Sequence, residues 1–557
     1  MAEIAAAAPR ARAKGLPMRT VVAASAAGTA FEWYDFFVFG SLAQIISKTF
    51  FSGLPEAAAY IAALALFGAG FAFRPLGALV FGRIGDVAGR KGAFLATVLL
   101  MGGATVAIGL LPSYATAGIA SPALLVLMRI VQGFALGGEY GGAAIYVAEH
   151  ARREARGQST SWVQSSASVG LLAALVVILL SRLVIGQAFG PAAFDAWGWR
   201  VPFLVSAALL AISIVMRLKL SESPAFAKMK AEGEASKAPY AEAFGRWENL
   251  KLVLLAFLAL VCAQGAVWYT TFFYVQTFME KFLKVAPETI NLLMVAAAGL
   301  SAVTYVVFGW LSDRIGRKPV MWAGMTLMLV AYFPGFHLLT QTLNPGLAEA
   351  VARTPVVVAA PVSDCSVQFD PVGKKSFLSA CDIAKGALAN AGVSYRNQPV
   401  PSGSLAEVRV GDEVIQSVDA RSLSRPDAKA ARAGVEARIK AALAKAGYPA
   451  KADPARMNLP GALAVLFVFV IAATALYGPM AAGLVELFPT RIRYTAMSLP
   501  YHVGVGWIGG FTPFSAFAIV AAVGDIYAGL WFPFVFTAIS VVACFFLPET
   551  KARDLHF

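Results

Sequence analysis

Stretches from which polar residues all but vanish recur along the chain, each close to the roughly 20 residues a helix needs to cross a bilayer, with charged connections between them. They predict spans at about 20–47, 57–81, 92–112, 121–148, 160–186 and 200–217. A second set is predicted at about 251–279, 288–310, 319–341, 460–485, 496–520 and 527–547. This predicts an all-α membrane protein with about twelve transmembrane helices in two pseudo-symmetric six-helix bundles. Composition agrees, since 58% of the 557 residues are hydrophobic and 14% are charged, against about 25% charged in an ordinary soluble domain. The first apolar run carries acids and lacks a short apolar core with a cleavage site, so it is expected to stay as a span rather than to be removed.

The polar residues orient these spans. Arg10, Arg12, Lys14 and Arg19 precede the first span, and clusters such as "EHARREARG", "SDRIGRK" and "ETKAR" follow the even-numbered ones. Short loops rich in Lys and Arg stay cytoplasmic, so both termini are expected there, in a multi-pass protein of the inner (plasma) membrane. The net charge of +14 is then met by the anionic leaflet of the lipid bilayer and implies no nucleic acid partner.

The expected parts are a cytoplasmic tail (1–19), an N-terminal bundle (20–217), a cytoplasmic linker (218–250), the first part of a C-terminal bundle (251–341), its remainder (457–548) and a short tail (549–557). Between the ninth and tenth spans, residues 342–456 turn abruptly polar and charged. Such a segment reads as a small soluble α+β insert on the extracytoplasmic side. "TPVVVAAPV" and "EVRVGDEVIQSV" predict strands, while "KSFLSACDIAKGALANAG" and "DAKAARAGVEARIKAALAKAGY", the latter closed by Gly447, predict helices. An oxidising compartment would join Cys365 to Cys381 in this insert. Its partner is not readable from these residues.

The connections repeat. "GRIGDVAGRK" after the second span holds Gly82, Asp86, Gly89, Arg90 and Lys91; "GWLSDRIGRK" after the eighth holds Gly309, Asp313, Arg314, Gly316, Arg317 and Lys318. Glu149 precedes Arg156 as Glu486 precedes Arg493, and Glu222 and Glu549 end matching spans. Three landmarks in matching order argue for two homologous halves. Each Asp is placed to accept bonds from a neighbouring helix's first amides or to pair with the Arg four residues on, contacts that can differ between two packings. The loops are therefore candidate conformational latches, with topogenic turns as the plainer reading.

The pattern GxxxD(R/K)xGR(R/K) resembles the loop signature of the major facilitator superfamily. "FEWYDFFVFG", "RIVQGFALGGEYGGAAIYVAEH" and "ELFPTRIRYTAMSL" are similar to its metabolite:proton symporters. Val87 departs from the signature where a basic residue is usual, and the insert departs from the plan. The resemblance implies a secondary active transporter that takes up a small metabolite with a proton by alternating access. An organic acid, such as a di- or tricarboxylate or a shikimate-like acid, is the expected substrate. A proline or betaine symporter, an uncoupled facilitator and, further off, a membrane sensor are the alternatives.

Charges inside the spans are costly, about 2.5–3.5 kcal/mol each at a span's centre, and mark function by default. Glu32 and Asp35 share one helix face. With Glu139 they are candidates to carry the proton, and Arg129 is the candidate partner. Arg74 and Arg200 are candidates to clamp a substrate carboxylate. Tyr34, Gln132, Gln164, Trp268, Tyr269 and Tyr274 are candidate lining residues, with helix packing as the rival role. The four histidines have no metal-ligand spacing, so no metal is expected. No cofactor is expected either, the proton gradient being the drive. No nucleophile and base are grouped as an enzyme would need.

Overall fold

The computed structural model describes residues 17–52, 66, 70–219, 222–367, 377–551 and 553–555. Arg10, Arg12, Lys14 and most of the predicted second span before residue 70 lie outside the described residues. Among the described residues ten helices are long and apolar enough to cross a membrane. They match the third to twelfth predicted spans. The first span is a 24-residue helix, Met18–Ser41, whose buried Glu32 and Asp35 make it more polar than the others. The second is described as Arg74–Val87.

The third to sixth spans are Arg90–Leu110, Ala120–His150, Arg156–Phe189 and Arg200–Leu218. The second half comprises Trp247–Phe282, Pro287–Ile315, Arg317–Leu343, Leu459–Leu487, Arg493–Val523 and Trp531–Phe546. Within each half the spans pack on neighbours: the first on the fifth, the third on the fourth and sixth, the ninth on the tenth. Two seams join the halves, fifth against eighth and second against eleventh, as two parallel repeats about one axis require.

Small residues let the second and fourth spans approach. A Cβ at Gly133 would lie 2.8 Å from the Gly70 carbonyl carbon, so only glycine fits that crossing. The seventh span is interrupted by wide π turns at Phe257–Val261, Thr270–Tyr274 and Phe278–Phe282, and the eleventh by one at Gly504–Gly509. Such bulges frequently mark functional sites.

The insert is a four-stranded sheet with helices. Strands β1 (Val356–Ala360), β2 (Tyr395–Pro399), β3 (Glu407–Val410) and β4 (Glu413–Gln416) lie in the order β2-β1-β3-β4. β1 runs parallel to β2, and the other pairs are antiparallel. Helices Ala380–Ala391 and Arg425–Lys445 accompany them, and Cys365 is bonded to Cys381. β2 was not anticipated, because "YRNQP" is an edge strand with four of its five residues exposed and carries no apolar alternation.

This insert docks on the C-terminal half. The Tyr395 amide donates to the Gly524 carbonyl at 2.6 Å, Asn397 Nδ2 to the Val523 carbonyl at 2.7 Å, and Lys284 Nζ to the Asn390 carbonyl at 2.6 Å. These anchors end the seventh and eleventh spans, so the insert sits at the face opposite the repeated loops.

Candidate functional site

The acids of the first span find their cation on the sixth. Arg217 Nη2 lies 3.0 Å from Glu32 Oε1 and 3.5 Å from Glu139 Oε1, with all three side chains buried. The guanidinium stacks 3.7 Å from the Phe94 ring centre and donates to the Phe94 carbonyl. Gly28 leaves the room it occupies. Arg217 therefore holds the place expected for Arg129. Sequence reading missed it because a basic residue near a span's cytoplasmic end counts as topogenic, and its pairing crosses between distant helices.

No ion pair of Asp35 is found among the described residues. Ser206 Oγ donates to its Oδ1 at 2.5 Å, and Thr105 is a second hydrogen-bonding neighbour. Gln132 Nε2 donates to Thr105 Oγ1 at 2.8 Å, and Gln132 Oε1 accepts from Arg129 Nη1 at 2.8 Å, so a chain of neutral groups links Arg129 to the surroundings of Asp35. Arg129 itself lies 4.1 Å from the Phe39 ring centre and donates to the Leu66 carbonyl. Glu32, Asp35 and Ser213 share a pocket of about 10 Å³ between the first, third and sixth spans, enough for about one water.

A second group of residues meets between the halves. Arg74 is 2% exposed, its Nε and Nη1 find no hydrogen-bond partner among the described residues, and Tyr269 is its hydrogen-bonding neighbour. Its guanidinium lies 5.4 Å from the Phe71 ring centre. Around it the Tyr140 and Tyr501 rings stack at 3.7 Å, the Tyr477 and Tyr501 hydroxyls bond at 2.6 Å, and Trp268 Nε1 donates to the Tyr305 hydroxyl at 2.7 Å. Gln164 Nε2 donates to the Tyr140 hydroxyl at 2.9 Å, and Trp33 and Trp268 meet across the halves at 6.2 Å. No acid lies within ion-pair distance of Arg74 among the described residues. Of the expected lining residues, Gln164, Trp268 and Tyr269 belong here. Tyr140, Tyr305, Tyr477, Tyr501 and His502 were not singled out as lining residues, since a buried tyrosine reads as packing until its neighbours are known.

Five of the expected residues have their contacts elsewhere. Arg200 Nη1 donates to the Gly109 and Leu111 carbonyls at 2.8 and 2.7 Å, so it caps the end of the third span. Tyr274 packs with Phe278 and Phe336 inside the C-terminal half, away from Arg74. Gln132 is engaged within the N-terminal half, as is Tyr34, which donates to the Pro202 carbonyl at 2.7 Å. Arg314 lies over the Trp310 ring at 3.8 Å and joins no ion pair with Asp313.

The repeated loops interlock at the end of the bundles opposite the insert. Asp86 pairs with Arg90 at 2.5 Å and accepts from the Tyr494 and Thr495 amides at 3.1 and 2.8 Å, the first turn of the eleventh span. Asp313 pairs with Arg317 at 2.6 Å and accepts from the Gly157 and Gln158 amides, both at 2.8 Å, the first turn of the fifth. Each half thus caps a helix of the other, placing an anion at the positive end of its dipole.

Ion pairs cross likewise, Glu149 with Arg493 at 2.7 Å and Glu486 with Arg156 at 2.8 Å, while Glu486 also pairs with Arg317 of its own half at 3.1 Å. Glu222 accepts from the Arg90 and Lys91 amides, and Glu549 from those of Arg317 and Lys318. Gly89 and Gly316 turn these loops at φ 130° and 108°, a region open essentially to glycine alone. Gly82 and Gly309 admit the facing helix, Gly82 against Thr495 and Gly309 against Ser161.

The family model described as "Sugar (and other) transporter" matches residues 20–242 and 441–556, on either side of most of the insert. A second, "MFS/sugar transport protein", matches residues 143–365. Over 337 residues the chain is 36% identical to the proline/betaine transporter of Salmonella typhimurium, covering 58% of this chain and 66% of that protein. It is 35% identical over 325 residues to the shikimate transporter of Escherichia coli, covering 58% and 72%. With the citrate-proton symporter of Salmonella typhi it shares 33% over 314 residues, covering 56% and 70%. The structure of the major facilitator superfamily proton:xylose symporter XylE bound to 6-bromo-6-deoxy-D-glucose matches with a TM-score of 0.59 at 16% identity, covering 97% of this chain and 98% of that one. That likeness carries the fold.

Proposed function

The chain belongs to the sugar (and other) transporter family, and on that footing we propose that it carries a small carboxylate-bearing metabolite inward with a proton, by alternating access. The observation that carries this reading is Arg74, a buried guanidinium with two unpartnered nitrogens in a tyrosine-lined space between the halves. A buried planar guanidinium with no carboxylate beside it among the described residues is suited to a carboxylate held by hydrogen bonds. Relatives named for proline and betaine, shikimate and citrate act on molecules that share that group.

An organic acid is preferred over a zwitterion, because no carboxylate stands beside Arg74 among the described residues to balance an ammonium. The second reading, proline or betaine, is favoured by the ring faces of Phe71, Trp268, Tyr269 and Tyr501, which can receive a quaternary amine.

The proton is assigned to Asp35, whose partners are hydroxyls, so that it can hold or lose a proton without breaking an ion pair. Glu32 and Glu139 share one guanidinium, leaving the cluster with more acids than cations. Inward opening would part Glu149 from Arg493 and Glu486 from Arg156, and withdraw Asp86 and Asp313 from the helices they cap. The face bearing the insert is then extracytoplasmic and loads first.

The test is uptake into vesicles of shikimate, citrate, proline and glycine betaine under an imposed proton gradient. Uphill accumulation of a carboxylate, abolished by a protonophore, is expected. Equilibration indifferent to the gradient would leave a facilitator.

A further inference from the structure

We infer that His502 is a second donor to the substrate carboxylate, facing Arg74 across the seam between the second and eleventh spans. The inference rests on the carboxylate reading above and adds a residue and a selectivity to it.

The register of the seam carries the argument. A Cβ at Gly506 would lie 2.9 Å from the Phe71 carbonyl oxygen, and one at Gly82 would lie 3.1 Å from the Thr495 Cα. Between these two fixed points the helices run antiparallel, so three residues on from Phe71, Arg74 comes level with His502. The imidazole and the guanidinium are indeed near enough to act on one another electrostatically.

Both ring nitrogens of His502 are without a hydrogen-bond partner, although the residue has no solvent exposure. Its ring meets that of Tyr501 edge-on, at 5.0 Å and 88°, which satisfies neither nitrogen. A buried polar group left unpaired costs free energy that a native fold rarely tolerates without a use. Here two such groups, on opposite walls of one seam, are both cationic or donating, with no carboxylate within bonding distance among the described residues. An anion fits this pair. One carboxylate could be shared between imidazole and guanidinium, with the neighbouring tyrosines beside the rest of the molecule. Loss of one wall would cost affinity for the acid and leave affinity for its uncharged amide nearly unchanged.

The experiment uses the purified full chain and two probe pairs, shikimate with its carboxamide and proline with prolinamide, each binding constant measured directly. Wild type is expected to prefer an acid to its amide. His502→Leu should lower affinity for that acid about tenfold, the size of one hydrogen bond to a charged acceptor, and barely change the amide. His502→Gln, which keeps a donor, should stay within about threefold of wild type. Equal losses for acid and amide, or none for either, overturn the inference and make His502 a packing residue, as does a preference lost in Arg74→Gln but intact in His502→Leu. A wild type preferring neither acid overturns the carboxylate reading and this inference with it. Thermal melting of each variant without ligand shows whether it folds.

Discussion

The N-terminal bundle buries Glu32, Asp35, Glu139, Arg74 and Arg217 inside its spans, whereas the C-terminal bundle buries Gln264, Trp268, Tyr305, Tyr477 and His502. At the end bearing the repeated loops the two bundles are instead near copies, each lending an Asp to the other's helix and exchanging a Glu–Arg pair. The likeness at one end equips both halves to move against each other. The unlikeness in the middle divides the load, with ion chemistry in one half and a wall of rings and hydroxyls in the other.

The largest effect is expected where the halves differ most. Asp35→Asn should bring the accumulation ratio to unity while substrate exchange persists, since an amide cannot release a proton; uptake that still climbs with the gradient assigns the proton elsewhere. Next comes Arg74→Lys, expected to raise KM about tenfold or more with a smaller change in kcat, because ammonium cannot reproduce the bidentate fork. Unchanged kinetics would return Arg74 to a structural role.

The loops supply the finer contrasts. Glu486→Gln strips its acid from both Arg156 and Arg317, while Glu149→Gln strips it from Arg493 alone. Losing one partner of a buried pair costs about 3–5 kcal/mol, so both should favour inward opening to a similar extent, since each breaks one pair that crosses between the halves and the Glu486–Arg317 pair lies within one half. Labelling of a Ser161→Cys reporter, placed against Gly309 in the seam, measures this. Markedly stronger labelling in Glu486→Gln would mean that the pair with Arg317 also differs between the two states. Smallest and most alike should be Gly89→Ala and Gly316→Ala, each losing about 1–3 kcal/mol to a backbone shape alanine resists, read as matched falls in melting temperature.

Much of this was legible in one dimension. Hydropathy marks the third to twelfth spans because burying twenty apolar residues in lipid depends on composition, not on neighbours. The repeated Gly, Asp and Arg of the loops are legible because their contacts start with the residue four positions away. Arg217 was illegible: its charge resembles that of Lys219 nearby, and only the packing of the first span on the sixth aims it at Glu32. Arg200 misled for the converse reason, since nothing in "GWRVPF" tells that the third span ends within its reach. β2 was hidden by its polarity.

Order along the chain was therefore enough to establish the spans, the duplicated loops, the insert and the presence of charge in lipid, all of which follow from local composition and short spacing. Who pairs with whom was settled by folding: a guanidinium binds whichever carboxylate comes within a few ångströms, and that distance depends on how helices far apart in the chain are set side by side.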